Sequence, residues 1–153
     1  MLLDDLIKND LVDVKQESPK DWRDALRRAS EKLIEHKYIK EGYVEEIIKN
    51  VDDNGPYIVI VPGVAMPHAM AESENVLGTA ISFTKFPEPV LFDAENPDSH
   101  AELFFTLAAR DPEVHLKNIS DLSEILMEDG FIEKLQKINI KDDFIEVVNE
   151  YHK

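Results

Sequence analysis

Among the side chains able to do chemistry, one imidazole stands out by its setting. The stretch Val61-Pro62-Gly63-Val64-Ala65-Met66-Pro67-His68 delivers a β-branched run into a proline-stiffened turn that ends on His68. Pro62 and Pro67 restrict φ, Gly63 permits backbone that other residues resist, and the small Ala65 and Ala69 leave room for a second molecule to approach. A ring held in this way suits a nucleophile that meets a partner; the bland alternative is a turn histidine capping a carbonyl. His115 is the second candidate. It falls in the first turn of a helix opened by Asp111-Pro112-Glu113, on one face with Ile119, Leu122 and Leu126, so one edge of its ring should tuck toward the core. A helix start offers free N–H groups and positive potential to an anion, although a lone histidine on an apolar stripe is also a common structural residue. Arg110 adjoins it and could either fork around an anion or pair with a carboxylate. His36, His100 and His152 read as solvated surface groups, as do the acidic clusters Asp52-Asp53, Glu72-Glu74 and Asp142-Asp143.

The elements that must hold these rings follow from the hydrophobic period. Leu2, Leu3, Leu6 and Ile7 form a short apolar N-terminal turn. Ser18-Pro19-Lys20-Asp21 predicts a helix start with Ser18 as N-cap, followed by Trp22, Ala25, Leu26, Ala29 and Leu33 at helical spacing. Val44, Ile47, Ile48 and Val51 repeat that pattern until Gly55-Pro56 stops it. The period then shifts. Tyr57 to Val61 predicts a buried strand, and Val76 to Phe86 and Ala101 to Ala109 two more, separated by a loop rich in breakers from Pro87 and Pro89 to Pro97. A helix with Ile119, Leu122, Ile125 and Leu126 inward follows, closed by Gly130, and two short helices end the chain. Helices, strands, then helices predict an α/β fold over 1–153: a single domain, with one mixed sheet and helices packed on both faces.

Composition narrows the chemistry. The 153 residues carry 17 Lys+Arg against 32 Asp+Glu, a net charge of −15, which disfavours nucleic acid and anionic lipid and favours a basic protein partner. With no cysteine there is no thiol nucleophile, Cys-bound zinc or iron–sulfur cluster. The acidic start and the lack of an apolar run near ~20 residues predict no membrane insertion and a cytoplasmic protein. Motifs for nucleotide loops, zinc helices, calcium loops and nucleophile elbows are absent, so no cofactor and no resident metal are expected.

The string Gly55-Pro-Tyr-Ile-Val-Ile-Val-Pro-Gly-Val-Ala-Met-Pro-His68-Ala resembles the active-site signature of type-2 enzyme IIA domains of the bacterial phosphoenolpyruvate:sugar phosphotransferase system, most closely the ascorbate-specific branch within the mannitol/fructose superfamily. Asp21-Trp22-Arg23 and Leu107-Ala-Ala-Arg-Asp-Pro-Glu-Val-His115-Leu extend the resemblance over nearly the whole chain. It implies that His68 accepts a phosphoryl group from the phosphohistidine of the carrier HPr and passes it to a IIB cysteine, and through it serves the membrane IIC and uptake of ascorbate or a related pentitol or sugar acid. His115 is then its catalytic neighbour, Arg110 a phosphate stabiliser, and Val64, Met66 and Met70 part of the docking surface; a homodimer is compatible with this. Two positions depart from the pattern. The Tyr57–Val61 stretch lacks the arginine of mannitol- and fructose-type members, and Met70 stands where many ascorbate-type sequences have arginine. Alternatives are a regulatory domain whose histidine phosphorylation switches protein binding, and a metal-binding hydrolase using His68, His115 and Asp111 or Glu72.

Overall fold

The computed structural model describes residues 2–71 and 73–151, so Glu72 and His152 lie outside the described residues. Chain order is α1 (Leu2–Lys8), β1 (Val12–Val14), α2 (Trp22–Ala29), α3 (Glu31–Glu35), α4 (Glu41–Asn54), β2 (Val59–Val61), β3 (Gly63–Ala65), β4 (Ala80–Leu91), β5 (His100–Ala108), α5 (Pro112–Leu126), α6 (Phe131–Gln136) and α7 (Lys141–Tyr151). The strands form one five-stranded sheet in the order β1-β4-β5-β3-β2. It is mixed: β1 is parallel to β4, β4 antiparallel to β5, β5 parallel to β3, and β3 antiparallel to β2.

Strand alternation places helices on both faces. Along β4, Phe83 stacks on Phe144 of α7 at 4.7 Å and meets its cross-strand partner Phe105 in a tilted pair at 4.9 Å. The intervening Ser82 and Thr84 point the other way, where their hydroxyls reach the Ala29 carbonyl of α2. Thus β4 and β5 are the centre of the core, and the residues that follow β3 and β5 emerge near each other at one end.

Several local expectations are corrected. Asp21, not Ser18, caps the first long helix: its carboxylate accepts from the Asp24 N–H at 2.8 Å while Asp24 accepts from the Lys20 N–H, a reciprocal box that starts the helix at Trp22. That helix also breaks at Ser30, whose hydroxyl bonds the Leu26 carbonyl. Strand β4 runs through Pro87 and Pro89 because both are exposed at the irregularity between the Lys85 and Val90 pairings, where no ladder N–H is needed. The β2 strand is an outer edge, with Ile60 and Val61 exposed rather than buried. Helix α5 ends at Leu126, and Gly130, at φ 77°, caps α6 instead.

Candidate functional site

Hairpin β2–β3 aims the chain at the site. Gly63 lies at φ 97°, a conformation that calls for glycine, whereas the one atom an added Cβ would meet is the movable amide end of Gln136. Strand β3 is short and wedged beside β5, and the chain leaves it as Met66-Pro67-His68-Ala69.

Each carbonyl of that segment has a different partner. His68 Nδ1 meets the Met66 carbonyl at 2.6 Å, the Leu107 N–H donates to Pro67 at 2.9 Å, and the Tyr57 hydroxyl donates to His68 at 2.5 Å. The fourth carbonyl, of Ala69, receives His115 Nε2 at 3.2 Å. A carbonyl only accepts, so His68 carries its proton on Nδ1 and, when neutral, leaves the Nε2 lone pair for chemistry. The same logic gives His115 its proton on Nε2. The turn-capping reading of His68 is thus compatible with the nucleophile reading, since the cap occupies Nδ1 and orients the ring.

The imidazoles of His68 and His115 lie 5.5 Å apart, ring centre to ring centre, at an interplanar angle of 68°. His68 is half-buried and faces an open depression of about 500 Å³ that Asn50, Asn54, Tyr57, Met70, His115 and Leu116 help to line. Tyr57 stands edge-on to the His68 ring at 5.5 Å. His115 is 8% exposed, and burial first, then the neighbouring His68, lowers its pKa below 6.5 against the opposing pull of the Ala69 carbonyl. Both effects disfavour the protonated ring. Its Nδ1 is buried with no partner among the described residues.

The structure separates the other candidates. Met70, 76% exposed, stands beside His68, whereas Val64 and Met66 are buried in the core and offer no docking surface. The reason is position: β3 lies inside the sheet between β5 and β2 with all three residues buried, and Met66, which follows it, is buried in the same core. Arg110 is also corrected. Its guanidinium reaches the Val76 and Leu77 carbonyls at 3.5 Å and lines a separate depression with Ser73 and Glu74. Among the described residues no Lys or Arg lines the depression at His68. His36 pairs with Asp10 at 3.1 Å. His100 begins β5 half-buried rather than solvated. Among the described residues no three His, Asp or Glu side chains group as metal ligands would.

Two site residues carry no local signal in the sequence. Tyr43 of α4, fully buried, donates its hydroxyl to the Leu107 carbonyl at 2.8 Å and accepts the Ala69 N–H at 3.0 Å. Burial pushes its pKa up to about 12, against the Ala69 N–H, so it stays a phenol. Asn50, two turns on, reaches Tyr57, whose pKa burial raises and the Asn50 amide pulls back.

A family model described as phosphoenolpyruvate-dependent sugar phosphotransferase system, EIIA 2, matches residues 5–151. The chain belongs to this family. An EIIA component is a member of a phosphotransferase relay. The mannitol-specific cryptic phosphotransferase enzyme IIA component of Escherichia coli K12 is 33% identical over 132 residues, 86% of this chain and 88% of that one. The ascorbate-specific EIIA component of the same strain is 25% identical over 149 residues, 97% and 95% of the two chains. The higher identity thus lies with the mannitol-named relative rather than with the ascorbate branch. The solved complex of enzyme IIAMTL with phosphorylated enzyme IIBMTL from Escherichia coli contains a chain matching this EIIA domain with a TM-score of 0.76 at 26% identity, over 92% of this chain and 94% of that one. No helix among the described residues is long and apolar enough to cross a membrane.

Proposed function

We propose that this EIIA domain relays a phosphoryl group through Nε2 of His68, taking it from phosphorylated HPr and giving it to the cysteine of a IIB protein in the cytoplasm. The observation that carries this is the His68 Nδ1 to Met66 carbonyl bond at 2.6 Å, which holds the proton on one nitrogen and the lone pair on the other. In the first step the Nε2 lone pair attacks phosphorus as the donor's P–N bond breaks, and the donor nitrogen keeps that electron pair. In the second, a IIB thiolate attacks phosphorus and Nε2 recovers its pair. The Nδ1 proton stays on the Met66 side throughout, where the carbonyl stabilises the positive charge that the ring gains.

Such a transfer passes through a loose transition state, so positioning and charge stabilisation carry most of the catalysis. His115 spends its Nε2–H on Ala69, and its part is to brace the acceptor loop and wall the depression. The relatives named for mannitol and for ascorbate point to a polyol or sugar-acid transporter downstream. The test is a two-step transfer with radiolabelled phosphoenolpyruvate, enzyme I and HPr, followed by mannitol- or ascorbate-type IIB. Label that enters the chain and leaves on addition of one IIB supports the relay and names its branch. Label that enters and stays with both makes the domain a regulatory one, and no label refutes the proposal.

A further inference from the structure

We propose that Tyr43 is a positioning residue for transfer at His68, its hydroxyl locking the backbone on the far side of the acceptor ring to strand β5. This rests on His68 being the acceptor. The residues flanking His68 are both tied to Leu107: Pro67 directly, through the Leu107 N–H at 2.9 Å, and Ala69 through the Tyr43 hydroxyl, which accepts from Ala69 at 3.0 Å and donates to Leu107 at 2.8 Å. Ala69 is the residue both rings depend on. It follows His68 in the chain, and its carbonyl holds the His115 Nε2–H. The Tyr43 hydroxyl therefore ties the Ala69 side of the loop, on which both imidazoles depend, to the sheet, as the Leu107 N–H ties the Pro67 side. Tyr43→Phe keeps the ring and its packing but removes both bonds, leaving a buried N–H and a buried carbonyl to find other partners.

Helix α4 also holds the far end of the same loop. Glu46, three residues on, accepts from the Ser73 hydroxyl at 2.5 Å and the Asn75 amide at 2.8 Å. These contacts touch neither His68 nor Ala69, so Glu46→Gln is a control for general loosening of the loop.

The experiment compares wild type, Tyr43→Phe and Glu46→Gln by single-turnover transfer from phosphorylated HPr, well below the unfolding temperature, with nitrogen NMR of the His115 ring. Tyr43→Phe is expected to lose about tenfold or more in the rate at saturating donor, with half-saturation unchanged, as misplacement of a reacting group predicts. The His115 nitrogen signals should shift toward a mixed tautomer, which a merely stabilising side chain would not cause. Glu46→Gln should keep both properties. If Tyr43→Phe is too unstable to assay, a ring-fluorinated tyrosine at position 43, whose hydroxyl is a weaker acceptor, must show a smaller loss in the same direction. A wild-type rate with unmoved His115 signals overturns the proposal, and so does a Glu46→Gln loss as large as that of Tyr43→Phe. Absence of phosphoryl on His68 in the wild type instead removes the acceptor reading and this proposal with it.

Discussion

Replacing His115 with alanine should slow phosphoryl transfer without abolishing it. The substitution removes the Nε2–H that the Ala69 carbonyl accepts at 3.2 Å and empties a ring that is 8% exposed and 5.5 Å from the acceptor imidazole. Leaving a buried carbonyl without a donor costs about 1–3 kcal/mol. At about 2–4 °C per kcal/mol for a domain of this size, the melting temperature should drop by several degrees, within the usual ~5–15 kcal/mol margin of stability. The chain therefore stays folded. The kinetic effect is larger: an acceptor loop free to move by about 1 Å loses on the order of 10²-fold in transfer rate. Rapid-quench measurement of label transfer from phosphorylated HPr gives the number, and a His115→Gln variant, which restores a donor in place, should recover part of the loss. A rate within twofold of wild type would refute the bracing role. Complete loss of labelling with the fold intact would refute it too, because His115 would then carry the phosphoryl group or be indispensable to its capture.

Further outcomes follow from burial and charge. Because burial lowers the His115 pKa below its ordinary 6.5, the unfolded chain takes up this proton first as pH falls. Its contribution to stability is present above pH 6.5 and is lost progressively below it; denaturant titrations between pH about 8 and about 5 should show a flatter profile for His115→Gln than for wild type. Asp10, held near pKa 2 by His36, Lys141 and Lys32 against partial burial, should add a second decline, from its ordinary 3.8 down to about 2, that Asp10→Asn removes in acid-unfolding curves. Met66→Ala should cost about 2–5 kcal/mol because it empties the core, whereas Met70→Ala should leave stability within about 0.5 kcal/mol and weaken partner docking, as denaturation and transfer kinetics would together report. Transfer from a basic carrier to a chain of net charge −15 should weaken as salt rises; a rate indifferent to ionic strength contradicts electrostatic docking.

The two histidines were legible in the sequence because their signals are local. A Pro/Gly loop ending on His68 and an Asp-Pro helix start before His115 need only a few adjacent residues to be read, and the Asp111 cap forms as expected, accepting from the Glu113 N–H at 2.8 Å. What could not be read depends on pairing at a distance. Strands β1 and β3 have three residues each and exist because β4 and β5 supply their partners. The inward turn of Val64 and Met66 is decided by the neighbouring β5, so a small apolar loop looked like a docking surface. Tyr43 looks like one more apolar residue of an amphipathic helix until the fold places its hydroxyl against Leu107, which is 64 residues away. Arg110 adjoins the cap of α5 in sequence, but its guanidinium is taken by the Val76 and Leu77 carbonyls, a contact that no local pattern announces.

The most direct measurement is to phosphorylate the chain with phosphoenolpyruvate, enzyme I and HPr and to map the modified atom by nitrogen–phosphorus NMR. The predicted result is a single acid-labile, base-stable adduct on Nε2 of His68, with Nδ1 still protonated against the Met66 carbonyl. An adduct on Nδ1 of His68, or on His115, His36 or His100, would contradict the account.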